Sequence, residues 1–151
     1  KPDLVCLFDV LEHIQDDDGA LDVLRDWLAD GGQLALSVPA YRFMWGQQDV
    51  VNMHCRRYTR GELCRKLERH GFAVVRATYF NFVLFPMIAA FRLLAKLPPW
   101  RNRPAHSDFD YSAGPLDRLF YGLFRLEWPF LKYVDAPFGG SCFVLARKSK
   151  P

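Results

Sequence analysis

The segment DLVCLFDVLEHI, Asp3 to Ile14, constrains the fold of this chain more than any other. Leu4 to Phe8 is an unbroken apolar, β-prone run, the pattern of a strand buried on both faces in a parallel sheet. The run stops at Asp9. Glu12 and His13 follow at i+3 and i+4, so one helical turn after the strand predicts all three on one side. In open α/β sheets, ligands bind outside the carboxyl ends of the strands. The spacing therefore predicts an ionisable trio where such a fold does its chemistry.

Downstream, Asp16, Asp17 and Asp18 offer N-cap chemistry and suit a helix N-terminus. Ala20, Leu21, Leu24, Trp27 and Leu28 recur at helical spacing, and Gly31-Gly32 closes that helix. Gln33 to Val38 reads as a second strand, ended by Pro39. Strand, crossover helix and strand predict a right-handed βαβ unit. Ala40 to Tyr58 is a long, aromatic-rich connection without periodicity; loops of that length are often functional. Thr59 to Glu62 forms a T-x-x-E capping box. A helix follows with Leu63, Leu67 and His70 on one side, Gly71 as its cap, and Phe72 to Tyr79 as a third strand.

Asn81 to Leu97 is the most apolar stretch. Pro86 and Arg92 interrupt it, and it falls short of the roughly 20 apolar residues that span a bilayer. It predicts a helix from near Pro86, stopped by Pro98-Pro99. Trp100 to Gly114 reads as a polar linker. Pro115 to about Trp128 reads as an amphipathic helix with Leu116, Leu119, Phe120, Leu123 and Phe124 on one face, bent or ended by Pro129. Pro137 to Gly140 predicts a turn, and Ser141 to Ala146 the last strand.

Half of the 151 residues are hydrophobic and a quarter charged, which fits one globular domain rather than a disordered chain. A net charge of +3 does not argue for nucleic acid, which calls for a concentrated basic face. Arg56, Arg57, Arg60, Arg65, Lys66 and Arg69 read as a solvated helix face. Cys6, Cys55, Cys64 and Cys142 lack CxxC spacing. The apolar flanks of Cys6 and Cys142 predict buried, reduced thiols and a cytoplasmic setting. His70 reads as a cation at a helix end, and His106 as a linker residue.

DLVCLFDVLEHI, followed by LADGGQLALSVPA and HCRRYTRGELCRKLERHGFAVV, resembles the C-terminal half of a class I S-adenosylmethionine-dependent methyltransferase. The subgroup is the one with an LEH motif, similar to the type 11, 12 and 23 families. The likeness covers Pro2 to about Tyr79 and, more loosely, Ser141 to Ala146. It implies an α/β, Rossmann-like sheet, strands four to seven of that domain, with a helical insert over 82–137. Residues 1–151 would then be a single partial domain. The family's glycine-rich loop and the acid ending its second strand have no counterpart here. The expectation is that the first three strands lie upstream of Lys1, that the fragment alone is inactive, and that Leu4 to Phe8 exposes an edge.

By the same resemblance, Phe8, Asp9, Val10 and His13 line the S-adenosylmethionine site, and Tyr41, Phe43 and Trp45, with Met44, overhang the acceptor pocket. A histidine suits proton removal from an acceptor, and His13 and His54 are the candidates. Two branches of the family hold a divalent cation through an acid-x-x-Glu-His arrangement, which implies Asp9, Glu12, His13 and His54 as a ligand set here. Metal holding, proton transfer and shaping the turn all stay open for Glu12 and His13. The insert is expected to pack on the sheet; a lid for an apolar or lipid-like acceptor, a homodimer surface and peripheral contact with an inner membrane are its other readings. The function implied is methyl transfer to a small-molecule oxygen, nitrogen or carbon. Its rivals are a non-catalytic interaction module and a metal-assisted O-methyltransferase.

Overall fold

A computed structural model describes residues 1–97 and 115–149. Its centre is a four-stranded sheet ordered β1-β2-β4-β3. The strands are β1 (Leu4–Phe8), β2 (Gln33–Pro39), β3 (Phe72–Phe80) and β4 (Ser141–Lys148). β1 and β2 run parallel, with Phe8 opposite Ser37. β4 lies antiparallel between β2 and β3, with a bulge in β3 between Val74 and Arg76. The helices are α1 (Asp17–Trp27), α2 (Gln47–Val51), α3 (Arg60–Arg69), α4 (Phe85–Leu94) and α5 (Pro115–Leu131).

The elements follow from local chemistry. Asp16 caps α1 by accepting from the Gly19 N–H at 2.9 Å. Leu21 from α1 and Leu28 just beyond it are fully buried against Leu34, Leu36 and Val38 of β2. Thr59 caps α3: Glu62 accepts from the Thr59 N–H at 2.8 Å, and the Thr59 hydroxyl accepts from the Glu62 N–H at 3.3 Å. Thr59→Ala is expected to cost about 1 kcal/mol, read as a small fall in thermal midpoint. Gly139 lies so close to β3 that a Cβ there would sit 2.2 Å from the Phe80 carbonyl oxygen. That close approach explains the glycine at the turn into β4.

Several expectations change. β1 forms, but its side chains are not buried on both faces: Leu4 and Phe8 are 52 % and 57 % exposed. Among the described residues it pairs with β2 alone, so its other edge is open, as the resemblance implied. Cys6 is therefore exposed, whereas Cys142 in β4 is buried as expected. The 40–58 connection is not structureless. It holds a 3₁₀ turn, Arg42–Met44, and the short α2. Its ends are stitched together by Tyr41 N–H to the Tyr58 carbonyl at 2.9 Å and Tyr58 N–H to the Pro39 carbonyl at 3.2 Å. α5 continues through Pro129 to Leu131. Backbone bonds resume beyond the proline, with Lys132 N–H to the Trp128 carbonyl at 3.2 Å.

The basic cluster is only partly a solvated face. Arg57 is buried. Arg56 and Lys66 reach the buried Asp17 at 2.6 and 3.1 Å, and Tyr58 donates to the same carboxylate at 2.7 Å. These contacts tie α1 to α3. His70 meets Asp18 and Asp22 at 2.8 and 2.9 Å, and these bonds hold its pKa above the ordinary value. Part of the insert packs on the sheet as expected: Phe82 and Leu131 lie against the core and Ala136 is within it; α4 does not. No side chain of α4 is buried, and Phe124 of α5 is exposed. The side chains of Leu116 and Leu119, the 100–114 linker and His106 lie outside the described residues.

Candidate active site at the carboxyl edge of the first two strands

β1 ends in a sharp reversal. Asp9 takes a positive φ of 53°, a conformation that aspartate tolerates better than most residues. Its N–H still pairs with the Ser37 carbonyl at 3.0 Å, and its carboxylate accepts from the Ser37 hydroxyl at 3.2 Å. The chain then makes a 3₁₀ turn over Leu11–His13, with His13 N–H bonded to the Val10 carbonyl at 3.0 Å. That tighter turn, not an α-helical one, buries Leu11 and Glu12 and leaves His13 exposed.

The loop after α2 closes on this turn. Cys55 N–H donates to the Glu12 carbonyl at 2.7 Å, and Cys55 Sγ donates to the His13 carbonyl at 3.4 Å. These bonds bring His54 beside His13, with ring centroids 4.7 Å apart and nearly perpendicular. One ligand atom each from Glu12, His13 and His54 lie within 4.8 Å of one another. Asp9 stands outside that group, because its reversed backbone turns its carboxylate to Ser37.

Glu12 is fully buried, and neither carboxylate oxygen has a hydrogen-bond partner. Burial, with the Asp9 charge adding to it, raises its pKa to about 7 against the weaker pull of its own backbone N–H and of Arg57. A buried carboxyl without a partner is costly, so this group marks the site.

Behind His54 lies Asp49, which the sequence reading did not single out. Its Oδ1 accepts from Arg57 Nε at 2.6 Å and faces His54 Nδ1 at 2.9 Å. Its Oδ2 accepts from the Gly46 N–H at 2.8 Å and Arg92 Nη1 at 3.3 Å. Burial works against this charge, yet the donors hold the carboxyl below the ordinary range. One signal was available: Asp49 is the sole acid between Ala40 and Tyr58.

Of the remaining candidates, Phe8, Asp9 and Val10 are all exposed at the end of β1. Tyr41 stacks on Tyr79 at 5.2 Å and meets Phe43 at 5.3 Å and Phe85 at 5.4 Å. Burial and the Tyr79 hydroxyl raise the Tyr41 pKa. Met44 is in the core rather than over a pocket. Trp45 is half-buried and, among the described residues, has no ring stacked on it.

Residues 1–77 match a family model described as a methyltransferase domain. No curated protein matches the chain. Among solved structures, the [4+2]-cyclase SpnF superposes with a TM-score of 0.53 at 17% identity, over 99% of this chain and 50% of that one. An S-adenosylmethionine-dependent methyltransferase from Mesorhizobium loti gives 0.52 at 15%, over 96% and 61%. Phosphoethanolamine N-methyltransferase 2 from Haemonchus contortus, in complex with S-adenosyl-L-methionine, gives 0.52 at 14%, over 98% and 33%. The chain thus spans about half the length of SpnF and less than two thirds of the other two. At these identities the likeness establishes the fold alone.

Proposed function

The chain belongs to the methyltransferase domain family, with the fold of class I S-adenosylmethionine-dependent enzymes, and on that premise we propose that it serves methyl transfer to a small-molecule acceptor of apolar or lipid-like character. The fold by itself would not choose this chemistry, since SpnF is a cyclase; the family match favours it. The observation that carries the reading is the His54–Asp49 pair, held beside His13 at the end of β1.

Bound S-adenosylmethionine would supply an electrophilic methyl group on its sulfonium sulfur. The residues present fit such a ligand: exposed Phe8 and Val10 offer apolar contact on either side of the Asp9 carboxylate. Phe8, Asp9, Val10 and His13 would hold it. A carboxylate only accepts hydrogen bonds, so Asp49 keeps the proton of a neutral His54 on Nδ1. Nε2 is then the basic nitrogen, free to take a proton from an acceptor hydroxyl or amine. His13, beside it, is the second proton carrier. Tyr41 and Phe43, with Phe85 from the 82–137 insert, supply an aromatic wall for an apolar acceptor. We read 1–151 as one partial domain, with that insert as its acceptor-side lid.

Calorimetry of the full-length natural protein with S-adenosylmethionine tests this. Saturable micromolar binding is expected; absence of binding would leave the non-catalytic module as the better reading.

A second reading, metal-assisted O-methyl transfer, is favoured by Glu12. A buried, unpartnered carboxylate with two imidazoles within 4.8 Å is a mixed oxygen and nitrogen donor set suited to Mg²⁺, Mn²⁺ or Zn²⁺. Asp49 would be the outer partner that orients a ligating His54. Glu12, His13 and His54 would hold the ion. Activity of the full-length protein should then need a divalent cation, and His54→Ala should remove that dependence. Activity unchanged by chelator discards the metal while leaving the first reading intact.

A further inference from the structure

α4 is built inside out. Its sequence, FPMIAAFRLL, is apolar almost throughout, yet none of its side chains is buried. A helix that is apolar all round ordinarily lies in a core or in lipid. Its charges explain the inversion. Arg92 reaches back to the Met44 carbonyl at 2.8 Å and to Asp49, and Lys96, just past the helix, donates to the Phe43 carbonyl at 2.6 Å. The cations thus face the protein, and Met87, Phe91 and Leu94, spaced i, i+4, i+7, face outward, with Phe91 71 % exposed.

α5 presents a complementary pattern. Tyr121, Phe124 and Trp128, spaced i, i+3, i+7, are exposed, and Trp128 reaches 78 %. Between Arg118 and Tyr133, the described exposed charges are Arg118, Arg125 and Lys132. The one acid in that stretch, Glu127, is buried and accepts from the Val83 N–H at 2.8 Å. Arg125 lies over the Tyr121 ring at 5.8 Å and Lys132 over the Tyr133 ring at 5.4 Å. Over 118–133 the acid is drawn inward and the aromatics and cations are left outside.

We propose that the outward faces of α4 and α5 dock on an anionic phospholipid surface. Tyrosine and tryptophan sit at headgroup depth, where an apolar ring and a polar tip are both satisfied. Arginine and lysine on the same helix meet lipid phosphates while their stems stay apolar. A second copy of the chain is a poorer occupant, because over 118–133 it offers further exposed cations and no exposed acid to pair with Arg125 and Lys132. No described helix is long and apolar enough to cross a membrane, so the contact is in-plane.

The test is co-sedimentation of the full-length protein with vesicles of mixed phosphatidylcholine and phosphatidylglycerol, against phosphatidylcholine alone. Binding to the anionic vesicles is expected, weakened by salt. Arg125→Glu/Lys132→Glu is expected to lower it by about 25-fold or more. Trp128→Ser, at a position too exposed to matter for folding, is expected to lower it as well, with an unchanged thermal midpoint. No binding to either vesicle, equal binding to both, or binding that the charge reversal leaves unchanged would overturn the proposal. So would a dimer that Trp128→Ser dissociates, which would put a second copy on this face.

Discussion

Asp49→Ala is expected to cost the full-length protein about 3–5 kcal/mol, because it strips a buried cation of its partner. Arg57 is 6% exposed, and its Nε bond to Asp49, at 2.6 Å, is its short contact with an acid. It also donates to the Ala40 carbonyl, which carries no net charge. The substitution also frees the Gly46 N–H that opens α2 and one of the bonds that hold Arg92 on α4. In thermal denaturation the midpoint should fall by on the order of 10 °C. Arg57→Leu in the same chain should restore part of the loss, since it removes the stranded charge. If the double variant is no better than Asp49→Ala alone, the cost comes from packing rather than from the buried charge. Asp49→Asn separates the two roles of this residue. It keeps the volume, but its amide can present a donor to His54 where the carboxylate presents only acceptors, so turnover should fall further than stability does.

That one aspartate matters this much could not be read from the chain before folding, and the reason is physical. Local patterns carry the elements whose cause is local. The Asp16 cap, the Thr59–Glu62 box and the Pro137–Gly140 turn before β4 were all legible because each depends on residues a few positions apart. α2 was not, since five residues hardly exceed one turn and leave no period to detect. The burial of β1 was not legible from its own pattern either, although the family resemblance implied its open edge. The same five apolar residues suit a central strand or an edge strand, and which one results depends on what pairs with them, not on their own pattern. At the site, the meeting of His13 and His54 followed from the rule that loops at the carboxyl ends of parallel strands converge. Asp9 failed to join them because a positive φ reverses the chain before the turn begins, and i+3 spacing has no meaning across such a reversal. Arg57 was read as solvated with its neighbours. Its partner lies eight residues earlier, a separation at which charge pattern says little about contact.

Glu12→Gln is expected to change how stability responds to pH. In the presence of chelator the wild-type protein should lose stability as the pH rises. The folded pKa of Glu12 is about 7, above the ordinary 4.5, because burial first and the Asp9 charge second oppose ionisation. Between those values the unfolded chain has released this proton and the folded chain retains it. The folded state therefore binds more protons, and each step upward in pH favours unfolding. The contribution is fully present below 4.5 and lost as pH rises through 7, and the rise corresponds to about 3 kcal/mol in total. Glutamine cannot ionise, so the variant should match the wild type in acid and exceed it by roughly that amount near about pH 8. Denaturant titrations across the range check this, and equal slopes for both proteins would mean that the Glu12 carboxyl has a partner when ionised. A divalent cation sharpens the comparison. An ion held by Glu12, His13 and His54 binds the ionised carboxylate, so its stabilisation grows with pH and opposes the wild-type slope. The glutamine variant should lose most of that response. A cation that flattens the wild-type curve and leaves the variant unmoved would assign the buried carboxyl to metal holding; a cation that moves neither would leave it as a protonated wall of the turn beneath His54.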